Sequence, residues 1–208
     1  MIRGKFITLE GIDGAGKSTQ LAWIVELLEQ AGLSVKVTRE PGGTELGERL
    51  RALLIDKSII MHAETEALLM FAARREHLDK VILPALAQGQ WVVSDRFTDA
   101  SFAYQGGGRG LEFDRLALLE HWVQGTLQPN LTLYFDIPVE LGQQRISQHR
   151  PVDRFETEQA DFFQRVRMAY LDRARQYPER IKIVNGNQSI GDVKAAAEQI
   201  VKTLLQHD

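Results

Sequence analysis

Lys5-Phe6-Ile7-Thr8-Leu9-Glu10-Gly11-Ile12-Asp13-Gly14-Ala15-Gly16-Lys17-Ser18-Thr19 decides the fold. Its first six residues are β-branched and aromatic-rich and read as a strand. After Ser18, the positions Leu21, Ile24, Val25, Leu27 and Leu28 recur at three and four residues, the period of an amphipathic helix, which Ala31-Gly32 closes. Between strand and helix, Gly11–Ser18 fits G-x-x-x-x-G-K-[ST] without a mismatch. Glycines let the backbone curl so that its N–H groups, and the helix N-terminus behind them, converge on phosphate oxygens. Lys17 adds a point charge, and the Ser18 hydroxyl is placed to ligate Mg²⁺. The expected triphosphate-binding set is Gly11, Ile12, Asp13, Gly14, Ala15, Gly16, Lys17, Ser18 and Thr19.

Outward from this loop, four more short apolar runs read as strands: Val35–Thr38, Trp91–Asp95, Leu131–Asp136 and Ile181–Val184. Helical spacing fills the gaps over Glu66 to about Gln88 (with Pro84 as a kink or boundary), Phe113–Gln124, Val139–Arg145, Ala160–Tyr177 and Val193–Leu205. Strands alternating with helices predict a five-stranded parallel sheet covered on both faces. The stretches Arg39–Thr44 and Tyr104–Gly110 hold 6 of the 17 glycines and read as breaks. Gln148–Arg154 is polar and lies between two helices, the place for a flap. No repeat or linker divides the 208 residues, so one domain spanning 1–208 is expected.

Composition excludes several classes. Without cysteine there is no disulfide scaffold, thiolate zinc site or cysteine nucleophile. A net charge of −3 gives no electrostatic footprint for duplex nucleic acid. No run approaches the ~18 apolar residues of a membrane span, and the N-terminal apolar run is too short for a signal peptide, so a cytoplasmic, membrane-free protein is expected. The five histidines show no ligand spacing and read as surface or helix-face residues.

A phosphate loop alone fits switches, motors and kinases. Arginines at strand ends, glycine loops and the flap narrow the choice, above all Asp95-Arg96 directly after an apolar strand, where open α/β sheets bind ligands. A hydroxyl acceptor benefits from a carboxylate base. A monophosphate acceptor is already anionic and instead calls for fixed cations. The arginines favour the monophosphate, although Asp13 or Asp95 leaves a base available. The rivals are a deoxynucleoside kinase and a nucleotide-gated binding module; no guanine-reading N-K-x-D occurs.

The chain resembles the thymidylate kinase family, bacterial type, nearly end to end. The resemblance rests on Gly11–Ser18, Arg39-Glu40-Pro41-Gly42-Gly43-Thr44, Phe71-Ala72-Ala73-Arg74 and Asp95–Arg109. It implies the P-loop NTPase fold, its five strands in the order 2-3-1-4-5 and flanked by helices, with a short mobile lid at about 146–157, and transfer of the ATP γ-phosphoryl group to dTMP with Mg²⁺ in a homodimer. Catalysis would rest on Lys17, Arg96, Asp13 and the lid arginines Arg150 and Arg154. Arg51 and Arg96 would hold the acceptor phosphate, with Asp95 in the same dTMP-binding set. Arg74, Ser101 and Gln105 would read the thymine edge. Tyr104 would pack under the sugar, and Asp13 would lie by its 3′-hydroxyl. For stacking on thymine the reading favours Phe71 with Arg74, leaving Met70 and Arg75 open because positions three and four apart share a helix face. Another branch of the family carries an arginine inside the loop; Gly14 stands there in this chain.

Overall fold

The computed structural model describes residues 4–146, 154–155 and 158–206. Five strands form one parallel sheet: β1 (Phe6–Glu10), β2 (Val35–Arg39), β3 (Trp91–Asp95), β4 (Leu131–Asp136) and β5 (Ile181–Asn185), in the order β2-β3-β1-β4-β5. β1 is buried along its whole length, as a central strand covered on both faces must be. Its side chains alternate between two cores. Ile7 and Leu9 join the cluster that includes Leu28 and Phe135, whereas Phe6 joins Phe71, Val92 and Phe97 on the other face.

The helices are α1 (Lys17–Gln30), α2 (Glu45–Ile55), α3 (Ala63–His77), α4 (Leu83–Ala87), α5 (Thr98–Ser101), α6 (Phe113–Gln124), α7 (Val139–Ile146), α8 (Ala160–Gln176) and α9 (Ile190–Gln206). The predicted boundaries of α6 and of strands β3 and β4 match residue for residue. Three readings need correction. First, Glu45–Ile55, which the sequence reading leaves without an element, forms α2, capped by the Thr44 side chain accepting from the Gly47 N–H. Second, Tyr104–Gly110 is not a break down to Gly108: Phe102–Gly108 continues α5 as a π-helical turn. Its glycines serve close packing, since a Cβ on Gly107 would lie 2.6 Å from that of Ala169 on α8. Third, the long helix up to Gln88 widens into a π turn at Leu78–Ile82 between α3 and α4. Pro84 has no N–H and its ring cannot approach the carbonyl one turn before it, so the helix loosens there instead of ending.

The sheet register brings the ends of the central strands level. Arg39 and Leu9 both pair with Asp95, and Glu10 pairs with Tyr134. Strands β2 and β3 lie to one side of β1, and β4 and β5 to the other, so the crevice at the carboxyl end of β1 is where the connections diverge. Among the described residues no helix is long and apolar enough to cross a membrane.

Candidate active site

Two cavities open at this edge of the sheet. One, about 620 Å³, is walled by Met70, Arg74, Phe97, Ser101, Tyr104, Gln105 and Phe155. The other, about 1730 Å³, runs along the glycine loop and α1 to Arg145, Gly186, Gln188 and Ile190. Asp13, Glu40, Arg51 and Arg96 line both. A ligand in either cavity therefore faces the same charged partition.

The glycine loop builds the larger cavity. Gly14 has φ 79°, and a methyl group on it would drive into the backbone carbonyl of Gly142 on α7. Across that contact the Arg145 guanidinium donates to the Gly14 carbonyl oxygen at 3.1 Å. Lys17 Nζ is buried and donates to the carbonyls of Gly11 at 3.0 Å and Ile12 at 3.2 Å. Burial lowers its pKa, and the neighbouring Arg96 lowers it further.

Arg96 stands in the partition. It is the only non-glycine residue with positive φ (70°) among the described residues, a strained conformation that costs about 1–3 kcal/mol and persists only where its surroundings enforce it. The enforcement is visible: its N–H donates to Leu9 O at 2.9 Å, and its carbonyl accepts from Ser94 Oγ at 2.7 Å. The turn throws the guanidinium across the end of β1, where it donates to Asp13 Oδ1 at 3.0 Å, Tyr104 Oη at 3.1 Å and Tyr170 Oη at 3.3 Å. Behind it, buried Glu10 accepts from Tyr170 Oη at 2.7 Å and from the Phe97 N–H at 2.8 Å. Burial, with the charge of Asp99 behind it, pushes the Glu10 carboxyl up to about 8.

Arg74 closes the far end of the smaller cavity. Its Nε donates to Glu40 Oε2 at 2.8 Å and its Nη2 to Ser101 Oγ at 2.9 Å, while Nη1 is buried without an acceptor. Glu40 is held in turn by His77 Nδ1 at 2.9 Å, and His77 Nε2 lies 2.6 Å from Thr38 Oγ1. Burial pushes the Glu40 carboxyl up, but Arg74 and His77 outweigh it and hold it below the usual range. An orphaned donor in a cavity wall is costly unless a ligand accepts from it.

The chain matches the family model described as thymidylate kinase over residues 9–197. It is 63% identical to the thymidylate kinase of Nitrosospira multiformis over 98% of this chain and 99% of that protein. It is 64% identical to that of Nitrosomonas europaea, over 97% of this chain and 94% of that protein. Among solved structures, the crystal structure of thymidylate kinase from Ehrlichia chaffeensis superposes with a TM-score of 0.76 at 34% identity, covering 97% of this chain and 99% of that one. The chain belongs to the thymidylate kinase family.

For this thymidylate kinase family member, the structure gathers most of the expected residues. Lys17, Asp13, Arg51, Arg96, Arg74, Ser101, Tyr104 and Gln105 all line one cavity or both. Four expectations change. Phe71 does not line the smaller cavity: its ring is buried 4.7 Å from the Arg74 guanidinium carbon, and Met70 takes the wall position. Arg75 turns away to the Val123 carbonyl and Asp79. Asp95, placed with the acceptor, lines the larger cavity beside Ser18, and its Oδ1 is buried without a partner. Arg154, expected over the transferring group, is buried against Glu66 and donates to the Leu54 carbonyl. Arg150 and most of the expected lid lie outside the described residues. His77 stands on the buried face of α3, within the helix-face reading.

Sequence reading missed Glu10, Glu40, Glu66, Tyr170 and Phe155. Two of them carried a usable signal: Glu40 lies in the Arg39–Thr44 motif, and Glu66, Met70 and Arg74 follow at intervals of four on one face of α3.

Proposed function

We propose that this protein, a single nucleotide-kinase domain of the cytoplasm, transfers the γ-phosphoryl group of ATP to dTMP, giving dTDP and ADP. The observation that carries this reading is the partition of Asp13, Glu40, Arg51 and Arg96 shared by two cavities. ATP lies along the glycine loop, its phosphates replacing the loop carbonyls around Lys17. Its adenine points toward Arg145, Gly186 and Gln188, which line the same cavity. dTMP fills the smaller cavity with its phosphate at Arg96 and Arg51. Its thymine reaches the unsatisfied Arg74 Nη1, with Gln105 and Ser101 on the same wall and Met70 and Phe97 on the faces. Tyr104, held by Arg96, packs under the sugar and disfavours a 2′-hydroxyl; Asp13 lies by the 3′-hydroxyl.

The chemistry follows from charge. An oxygen of the dTMP phosphate attacks the γ-phosphorus in line as the bond to the ADP oxygen breaks. The attacking oxygen is already ionised, so no base is required. What must be overcome is repulsion between two anions, and Lys17, Arg96 and Arg51 do this as fixed cations in a partly desolvated site. Arg150 adds to this set from the lid.

The oxygens of Ser18 and Asp95 suit Mg²⁺, and the buried, unpartnered Asp95 Oδ1 is an acceptor that a hard cation or its water shell would satisfy. When bound, the ion neutralises charge on the β- and γ-phosphates. Among the described residues no cluster of three acidic or histidine side chains is gathered for a metal, which fits a cation held largely by phosphate and water.

The protein acts as a homodimer through α3 and α6, which expose Leu68, Phe113, Leu118 and Trp122. Initial rates of ADP formation with dTMP, thymidine, dCMP and AMP test the activity. Turnover should be highest with dTMP. Equal rates with dCMP or AMP, or preference for thymidine, would overturn the assignment.

A further inference from the structure

The acceptor cavity has two walls that do not touch each other in sequence: Gln105, on the π turn after α5, and Phe155. Both are tied to one carboxylate outside the cavity. Glu66 of α3 is fully buried. Its Oε1 accepts from Gln105 Nε2 at 2.8 Å, and its Oε2 accepts from Arg154 Nη2 at 2.6 Å and Arg109 Nε at 3.1 Å. Arg154 also fixes the backbone around it: its N–H donates to Ile55 O at 3.1 Å and its Nε to Leu54 O at 2.8 Å. Its guanidinium carbon lies 4.7 Å from the centre of the Phe155 ring, and that ring meets Tyr104 edge-on at 5.9 Å. Arg109 reaches across to Glu158 and stacks on Phe162.

A buried carboxylate is stable only when cationic and polar donors surround it. Glu66 meets that need with donors from separate parts of the chain, so its charge sets their distance from one another. We infer that Glu66 is a positioning residue for the acceptor nucleotide, fixing Gln105 against the base and Phe155 against Tyr104 through Arg154. This inference rests on the acceptor-site reading above, and it adds that dTMP affinity and base choice depend on a residue that does not line the cavity. An amide in its place keeps the volume but turns an N–H₂ toward one set of donors, which breaks the bond to one wall and removes the charge assistance of the bond to the other.

Steady-state kinetics of Glu66→Gln and Arg154→Met against the wild-type enzyme test this. In Glu66→Gln the KM for dTMP should rise about tenfold, the KM for ATP should stay within about twofold, and the preference for dTMP over dCMP should fall. In Arg154→Met, which releases Phe155 and the Leu54 carbonyl but leaves Gln105 bonded to Glu66, the KM for dTMP should rise while the base preference is kept. Should Glu66→Gln fail to fold, Arg154→Met and Gln105→Glu, which sets a second carboxylate against Glu66, decide the matter by the same constants. A folded Glu66→Gln enzyme with unchanged constants, or one in which both KM values rise together, refutes the positioning role. A wild-type enzyme with no saturable turnover on dTMP refutes the acceptor-site reading itself, which separates the two failures.

Discussion

Arg96 combines a left-handed backbone with a guanidinium shared by two cavities. Strain of this kind is maintained by Leu9, Ser94 and the phenols of Tyr104 and Tyr170, so the charge is aimed before any ligand arrives. Arg96→Ala should lower kcat/KM by about 10²–10³, or ~3 kcal/mol of transition-state stabilisation, while the left-handed strain remains, because alanine carries a Cβ as arginine does. Near-wild-type kinetics in that variant would remove Arg96 from the mechanism. At this scale the sequence disclosed residues whose chemistry is tied to a fixed spacing, such as Lys17 and Ser18, or to a strand end, such as Arg96. It could not settle Phe71 against Met70. Both lie on the α3 side that faces Arg74, and only the roll of that helix, set by packing against Phe97 and α6, sends one into the core and the other to the cavity. Glu10 was hidden for a related reason: a buried carboxylate looks like a surface one until its partners are known.

At the level of elements, period and capping were legible wherever one face was apolar, which is why α6 and α8 were found nearly intact. α2 escaped although Leu46, Leu50, Leu53 and Leu54 recur at helical spacing, because it follows a glycine turn directly and leaves Leu46 and Leu53 exposed. Its signal was chemical: Thr44 at the cap, Glu45 and Glu48 in the first turn, and Glu48 Oε1 accepting from the Gly43 N–H at 2.9 Å. This helix carries Arg51, whose Nη1 donates to the Pro41 carbonyl at 3.1 Å. Thr44→Ala should cost about 1 kcal/mol and lower the melting temperature by about 2–4 °C, measurable by calorimetry. The KM for dTMP should rise with it, since the first turn of α2 also holds the Arg39–Thr44 stretch. The Gly106–Gly108 run misled in the opposite direction. Glycine marks a turn in most contexts, but here it marks a place where α8 presses on the backbone.

For the molecule as a whole, the buried polar groups beneath the site set how stability responds to pH. Burial pushes Asp99 up, yet Arg173 and Arg180 outweigh it and hold its carboxyl at about 2, below the ordinary 3.8. Its stabilisation is complete above 3.8 and is lost as pH falls toward 2. Glu10 runs the other way: with a folded value of about 8 against 4.5, the native state binds the extra proton, and stability declines as pH rises from 4.5 to about 8. Urea unfolding across this window should show that decline in the wild type and a flatter profile in Glu10→Gln; parallel profiles would contradict it. The exposed α3 and α6 face makes a second prediction at this scale. If the proposed homodimer forms through it, replacement of Trp122, 80% exposed, by Glu should shift the protein from dimer toward monomer in light scattering. One contact also constrains how such an enzyme could change. Gly14 and Gly142 meet backbone to backbone, and a side chain at either would strike the other segment. Recruiting an arginine into the loop is therefore a two-step matter: α7 must first recede, and Arg145 must give up its grip on the Gly14 carbonyl. A single replacement at position 14 in this background should cripple the enzyme, while the same change in a background with a displaced α7 should be tolerated. The two glycines thus behave as one heritable unit.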